Sequence, residues 1–551
     1  MKDYTSRAAA AIGLLLVAVV LLGAIPPFQL FGLELRRVDM LSLFESDYSL
    51  LNEAECEGVF IDNVEYEFDI ESINSMLEES AGIDSKEGIS YSWIIDSVEV
   101  VVDVDLERVV KSCPTPLIAD GAVPIEDFDT TNLKLLDKFY HKLLHSDSLT
   151  RIAVMGDSFI EGDILTGDLR EMMQLRYGGV GSGFAPVSSP LTKFRRTVST
   201  TSKSWKSNNV MQRKSASASD VDMFTISGWL SRPSLSSGAS VEWKMVTAKR
   251  GNQVARSAKL LFVAQRDSRV EVEVNGEHSR RFSFEASEYL RHIDIQADSI
   301  YSLKLTVLSG GEGFAGYGAI FDGGSGVCVD NYSVRSNSGQ AMFWSNASLN
   351  AQIGHAIGGY DLVILQYGLN IMAQDVYNYD SYALRLKDMV EYVRGCFPGA
   401  AVMIMGVSER YVKSGEGYSA MNSIEQFSQM QRSVAQDMGT AFWATKDAFT
   451  IRGGMRHFVE QGWAGKDYTH INFNGGREVG HTLFDAIALA GWEYSQRVVV
   501  DDEKFELVIP DDIEIDSVEF DSNLSIKPLY NNNLPRKSVG DKPTHRLRDR
   551  R

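Results

Sequence analysis

Apolar positions along this chain fall into three textures. The first is one uninterrupted run, AAAAIGLLLVAVVLLGAIPPFQLFGL, with no charge between Arg7 and Glu34. Its dense part, Ala8 to Ile25, is about 18 residues, near the lower limit for a helix that spans a bilayer. An uncleaved anchor is expected; the alternatives are a cleaved export signal with a poor small-residue site at Leu22-Gly23-Ala24, or a buried helix. Positive residues flank both ends (Lys2 and Arg7, Arg36 and Arg37), so the charge rule orients the segment weakly. No second segment of that length and apolarity follows, so everything after Glu34 is expected on one side, outside the cytoplasm.

The second texture alternates short apolar runs with amphipathic ones. TTNLKLLDKFYHKLLHSD carries Leu133, Leu135, Leu136, Phe139, Tyr140, Leu143 and Leu144 at helical spacing and leads into the strand RIAVM. DILTGDLREMMQLRYGG reads as a helix with Leu165, Leu169, Met172 and Met173 inward and Gly178-Gly179 as its stop. After an interruption the pattern resumes. GVCVDNYSVR, YDLVILQYG, AVMIMGVSE and GTAFWATKDAF read as strands, and SYALRLKDMVEYVRGCF, NSIEQFSQMQRSVAQDMG and GGREVGHTLFDAIALAGWEYSQ as helices. Alternation of this kind predicts a mainly parallel sheet covered on both faces.

The third texture fills the interruption, from about 190 to 322. KLLFVA, RVEVEVNG, HIDIQA and SLKLTVLSGG are short runs of period two, and Asn275-Gly276 is a hairpin-turn dipeptide. A β-sandwich inserted after the first helix of the α/β domain is predicted. The expected divisions are a signal anchor at 1–33, a membrane-proximal region of unassigned fold at 34–129, the α/β domain at 130–190 and 323–500, the insert at 191–322, and a disordered polar tail at 501–551.

Composition narrows the function classes. A formal charge of −20 argues against a nucleic-acid binder, which needs a basic face for phosphates. Four cysteines (Cys56, Cys113, Cys328, Cys396) show no CxxC spacing, so no zinc or thioredoxin-type motif is suggested. Cys56 and Cys113 flank one early segment and can pair in an oxidising compartment; buried free thiols are the alternative.

Four stretches lie where a parallel sheet gathers ligand groups, at the carboxyl ends of strands. Gly156-Asp157-Ser158 closes RIAVM, and its serine is either a helix cap or a nucleophile. Gly339 follows the strand GVCVDNY and either makes a turn or lets its N–H approach a substrate oxygen. Asn370 follows YDLVILQYG and either satisfies loop backbone or offers an amide donor to an oxyanion. Asp467-Tyr468-Thr469-His470 precedes the last helix, and the aspartate can bend back to the imidazole and fix its tautomer. His481, inside the last helix, is a competing base without an aspartate in that arrangement, and His355 and His457 have less to recommend them.

In order and placement, GDS, SG, GxN and DxxH resemble the SGNH (GDSL-like) hydrolase superfamily, over roughly residues 130–190 and 323–495. The resemblance implies a three-layer α/β/α fold of flavodoxin-like type, with Ser158 as nucleophile, His470 as base and Asp467 as its orienting carboxylate. It implies an oxyanion hole from the N–H of Ser158, the N–H of Gly339 and the Asn370 amide. Phe159 stands where many members have Leu, and Ser336-Asn337 precede Ser338-Gly339. Chemistry of this type needs no metal and no organic cofactor.

An inserted β-domain with export and an anchor looks like bacterial O-acetylesterases of cell-wall polysaccharide. The implied partner is an acetylated polysaccharide or peptidoglycan, met on the periplasmic side of the membrane to which the N-terminal helix holds the chain. Trp205, Trp229 and Trp243 in the insert are expected either to stack on sugar rings or to fill the sandwich core. The related reading is an anchored O-acetyltransferase that receives acetyl groups from a membrane partner. A glycan-binding protein without catalysis, a lipase and a thioesterase are the remaining readings.

Overall fold

The computed structural model describes residues 91–95, 122–129, 134–246, 254–415 and 417–497, with two short strand pairs outside them. One pair, Phe28–Leu30 with Leu33–Leu35, belongs to a separate unit, residues 1–69. The other joins Val499–Asp501 to Glu506–Val508. Residues 8–25, Cys56, Cys113 and nearly all of the 501–551 tail lie outside the described residues, so the anchor, the disulfide and the disordered tail do too. Among the described residues no helix is long and apolar enough to cross a membrane.

The α/β domain is built on six strands: β1 (Glu126–Asp127), β2 (Thr150–Gly156), β3 (Val327–Ser333), β4 (Leu362–Gln366), β5 (Ala401–Met405) and β6 (Ala441–Trp443). Their order is β3-β2-β4-β5-β6-β1, parallel throughout except for β1, which pairs antiparallel with β6. Among the parallel strands this is the flavodoxin-like order, in which the first strand sits between the second and third. Strands β2, β4, β5 and β6 are buried at every position and β3 at all but one, as expected of a parallel sheet covered on both faces. Register pairs Ser333 and Gln366 with Gly156, Gln366 with Met405, and Met405 with Trp443. The carboxyl ends of all five parallel strands therefore form one level row.

Helices α1 (Asp137–His145), α2 (Thr166–Tyr177), α6 (Thr445–Ile451), α7 (Gly454–Glu460) and α8 (Phe473–Arg497) form one contacting group. Helices α3 (Ala347–Ile357), α4 (Asp380–Cys396) and α5 (Ile424–Asp437) form the other. The stripe expected of α1 is buried at Leu136, Phe139, Tyr140, Leu143 and Leu144, and the inward set of α2 is buried at all four positions. Several elements differ from the reading of the sequence, two of them within the α/β domain's main layers. GTAFWATKDAF is a strand only over Ala441–Trp443, after which Thr445 starts α6. Helix α3, ASLNAQIGHAI, is absent from the sequence reading.

The insert comprises two sheets facing each other across a core that includes Val241, Trp243, Val270, Phe262 and Phe321. Its β texture begins at Gly183–Pro186, ahead of position 191, where that strand pairs with Phe314–Asp322. Asn275 and Gly276 both have positive φ in the tight turn between Ser268–Val274 and His278–Phe284, as the dipeptide predicts. Tyr91–Ile94, from the region left without a fold, adds a parallel strand to the edge at Leu290–Ile300. Insert and α/β domain share a core: Phe184, Trp229, Leu230, Leu261 and Tyr317 pack in the same cluster as the parallel strands.

Candidate active site

Strand β2 ends at Gly156, and the chain turns sharply through Asp157 and Ser158. Asp157 makes the turn self-supporting: its Oδ1 accepts the Phe159 N–H at 2.9 Å, and its own N–H reaches Gln366 Oε1 at 3.3 Å. Three residues on, Gly162 and Asp163 both take positive φ and bring the chain to α2. The buried Asp163 carboxylate is the anchor there. It accepts from Thr166 Oγ1 at 2.9 Å, Arg170 Nη1 and Nη2 at 3.1 Å, Arg195 Nη2 at 2.7 Å and Thr197 Oγ1 at 2.9 Å. Burial opposes ionisation of Asp163, but the two guanidinium groups overcome it and hold the carboxyl far below the usual range. Arg195 and Thr197 come from the insert, so the insert helps to fix the turn.

The fourth motif meets this turn from across the sequence. His470 Nε2 lies 3.2 Å from Ser158 Oγ, and His470 Nδ1 lies 2.6 Å from Asp467 Oδ2. Asp467 Oδ1 accepts the N–H groups of Thr469 and His470 at 3.1 and 3.2 Å. Partial burial works against the Asp467 charge, but its bond to His470 and these N–H groups hold the carboxyl below its ordinary value. Tyr468 turns the loop with φ of +54°, and its ring stacks on Tyr418 (4.6 Å between centroids) and Tyr411 (5.6 Å). Sequence reasoning did not register the hairpin Tyr411–Ser414/Gly417–Ala420 that carries those two rings. YVKSGEGYSA is polar and largely exposed, without the alternation that marks a half-buried strand.

The donors expected around an oxyanion are present, but two of the three are engaged. Gly339 has φ of +94°, and a Cβ there would lie 2.5 Å from Met389 Sδ, so glycine is required. Its N–H donates to Asn337 Oδ1 at 2.9 Å in this structure. The Asn370 amide donates to Asp157 Oδ2 at 2.8 Å and to the Asn337 carbonyl at 3.1 Å. The Ser158 N–H takes no part in the bonds that engage Asp157 and Phe159 on either side. Asn337 and Asp157 are thus the residues that motif matching left without a role: one holds the glycine N–H, the other the asparagine amide. Both sit beside motif positions, which is the signal that would have found them. Burial pushes the Asp157 carboxyl up to about 7, against the Phe159 N–H and the nearby His470. The buried Glu161 is raised by burial too, even with Arg335 bound at 2.8 Å.

The tryptophans are placed by packing. Trp243 is fully buried in the sandwich, with Nε1 donating to the Pro186 carbonyl, which corrects any reading of it as a sugar platform. Trp229 is 9% exposed and helps to line a small cavity with Asp163 and Arg195. Trp205 is half-buried, edge-on to Phe314. His481 and His355 lie on α8 and α3, and His457 on α7 packs edge-on against Trp463.

No family model matches the chain, and no curated protein matches it in sequence. Solved structures do. A peptidoglycan O-acetylesterase captured in action superposes with a TM-score of 0.53 at 22% identity, over 67% of this chain and 99% of that one. A family two carbohydrate esterase from Clostridium thermocellum gives 0.23 at 10% identity, over 46% and 91%. A GDSL-like lipase from Parabacteroides merdae gives 0.23 at 12%, over 30% and 74%. The likeness to the peptidoglycan O-acetylesterase is one of fold, and it extends over two thirds of the chain.

Proposed function

We propose that this protein is a serine esterase that removes O-acetyl groups from a cell-envelope polysaccharide. The observation that carries the proposal is the unbroken line of hydrogen bonds from Ser158 Oγ through His470 to Asp467 at the carboxyl end of a parallel sheet. A serine hydroxyl is a weak nucleophile, so attack on the acetyl carbonyl requires a base that takes its proton as the new C–O bond forms. His470 Nε2 is placed for that transfer, and Asp467 favours the tautomer that leaves Nε2 free to accept and stabilises the imidazolium that results. The protonated His470 then gives the proton to the departing sugar oxygen, leaving an acetylated Ser158. Water, deprotonated by His470, attacks this acyl-enzyme and releases acetate.

Negative charge develops on the acetyl oxygen beside the Ser158 N–H. Asn370 and Gly339 join as donors once they leave Asp157 and Asn337; each such donor is worth roughly 10²–10³ in turnover. The substrate class is taken by analogy with the peptidoglycan O-acetylesterase of similar fold, and the apolar run at 8–25 is the reason to place the enzyme outside the cytoplasm on a membrane anchor.

The test is to incubate the full chain with acetylated polysaccharide and with a small acetyl ester, and to measure free acetate. Release that disappears in Ser158→Ala supports the esterase. Acetate appearing on an added sugar acceptor supports an anchored acetyltransferase instead, and no release from any ester by folded protein supports a glycan-binding module.

A further inference from the structure

Beside the proposed triad lies a surface that the reaction itself does not use. Arg410 follows β5, and its Nη1 donates to the carbonyl of Leu369 at 3.0 Å, the residue before Asn370. Its Nε is buried and has no hydrogen-bond partner, and no carboxylate among the described residues pairs with it. The neighbouring Glu409 is committed elsewhere, accepting the Met455 N–H at 2.7 Å and bonding the Thr450 hydroxyl. Directly after Arg410, Tyr411 donates its N–H to the Tyr468 carbonyl at 3.1 Å. Arg410 is therefore held between the loop of Asn370 and the loop of His470.

The hairpin continues the same surface. Tyr411 pairs with Ala420 and Lys413 with Tyr418, so Tyr411, Lys413 and Tyr418 share one face. Tyr468 stacks against two of these rings, and Tyr418 remains 38% exposed. Lys413 is exposed and, like Arg410, has no ion-pair partner among the described residues. Two cations without an ion pair thus flank an exposed aromatic face. A guanidinium recognises a carboxylate, and an aromatic face takes the apolar C–H face of a sugar ring.

We propose that this hairpin, with Arg410, Lys413 and Tyr418, forms a binding subsite for a sugar unit carrying a carboxylate, so that the substrate is an anionic rather than a neutral acetylated polysaccharide. The proposal deepens the esterase reading and rests on it for the acetyl group. The carboxylate pairs with Arg410 and Lys413, the ring lies on Tyr418, and the acetylated unit reaches Ser158.

The test compares kcat/KM of the full chain for an acetylated polyuronate, an acetylated neutral xylan and a small acetyl ester. For Arg410→Gln, and separately for the exposed Lys413→Gln, the ratio of polyuronate to small ester falls roughly tenfold, the scale of one charge-assisted hydrogen bond, through KM. The xylan ratio does not move, and Arg410→Lys recovers part of the loss. Parallel loss on all three substrates means that Arg410 only positions the Leu369 carbonyl and overturns the proposal. So does an unaltered polyuronate ratio in both variants. Retardation of Ser158→Ala in a gel containing unacetylated polyuronate, relieved by Lys413→Gln, reads the subsite even where no ester is cleaved. Failure of the esterase reading is thereby told apart from failure of this one.

Discussion

The proposed chemistry is divided between two loops of opposite character. The turn that carries Ser158 is locked from below: Asp157, Glu161 and Asp163 are all buried, and the last spends four side chains on one carboxylate. The loop that carries His470 is half-exposed from Asp467 onward and turns through a tyrosine at positive φ. A hairpin whose own residues are mostly exposed holds that tyrosine in place. Nucleophile position is thus set by buried carboxylates, and the loop of the base is held by Asp467 and by aromatic contacts at the surface. The more adjustable half is the half that the proposed polymeric substrate would meet.

Four measurements break or sharpen this contrast. The largest expected effect is chemical: Ser158→Ala lowers acetyl-ester turnover by roughly 10⁶ with an unchanged melting curve, while Asp467→Asn costs roughly 10⁴. Retained turnover in the serine variant would remove the nucleophile from the account. Next comes the locked turn. Asp163→Asn leaves Arg170 and Arg195 without their counter-charge and destabilises the fold by about 3–5 kcal/mol in denaturant titration. A change of a few tenths would mean that the turn is not held by this carboxylate.

Third is the pH dependence of stability. Asp157 is raised from 3.8 to about 7 in the folded protein. The folded state thus binds the proton that the unfolded state has already lost, and this contribution is full below about pH 4 and lost as pH rises through about 7. Asp157→Asn keeps an acceptor for the Phe159 N–H and is expected to flatten melting temperature over that window. An unchanged slope would assign the dependence to other groups. The smallest effect belongs to the adjustable loop. Tyr468→Gly gives up two ring contacts but relieves a left-handed tyrosine, so stability changes by less than about 1 kcal/mol. Loss of several kcal/mol there would show both loops to be equally rigid.

How much of this could be read in the sequence follows the same division. Strands β2, β4 and β5 announce themselves as apolar runs, because burial on two faces leaves little room for polar residues. The motif residues lie at or just past strand ends, so their gathering followed once the strands were ordered. What escaped reading depends on neighbours remote in the chain. Arg195 was unremarkable until 32 positions were closed to bring it to Asp163. The hairpin is polar in composition and gains its meaning from Tyr468. Trp243 looks the same in sequence whether it meets a sugar or Phe321. Asn337 and Asp157 were visible beside their motifs, but which donors they occupy is decided by side-chain direction, which spacing does not encode.

One junction bears on how such a protein could be rebuilt. The insert leaves and re-enters the domain at a single crossing, where the Val327 N–H bonds the Gly178 carbonyl and a Cβ on Gly179 or Gly326 would collide with the opposite strand. By connectivity alone the insert, though not the strand Tyr91–Ile94 at its edge, could be cut out and two adjacent ends rejoined. The shared interior forbids it, since excision would strip Phe184, Trp229 and Tyr317 from the flank of the parallel strands and leave a greasy scar facing water. A lineage or an engineer wishing to exchange this module must therefore rewrite both sides of the seam together.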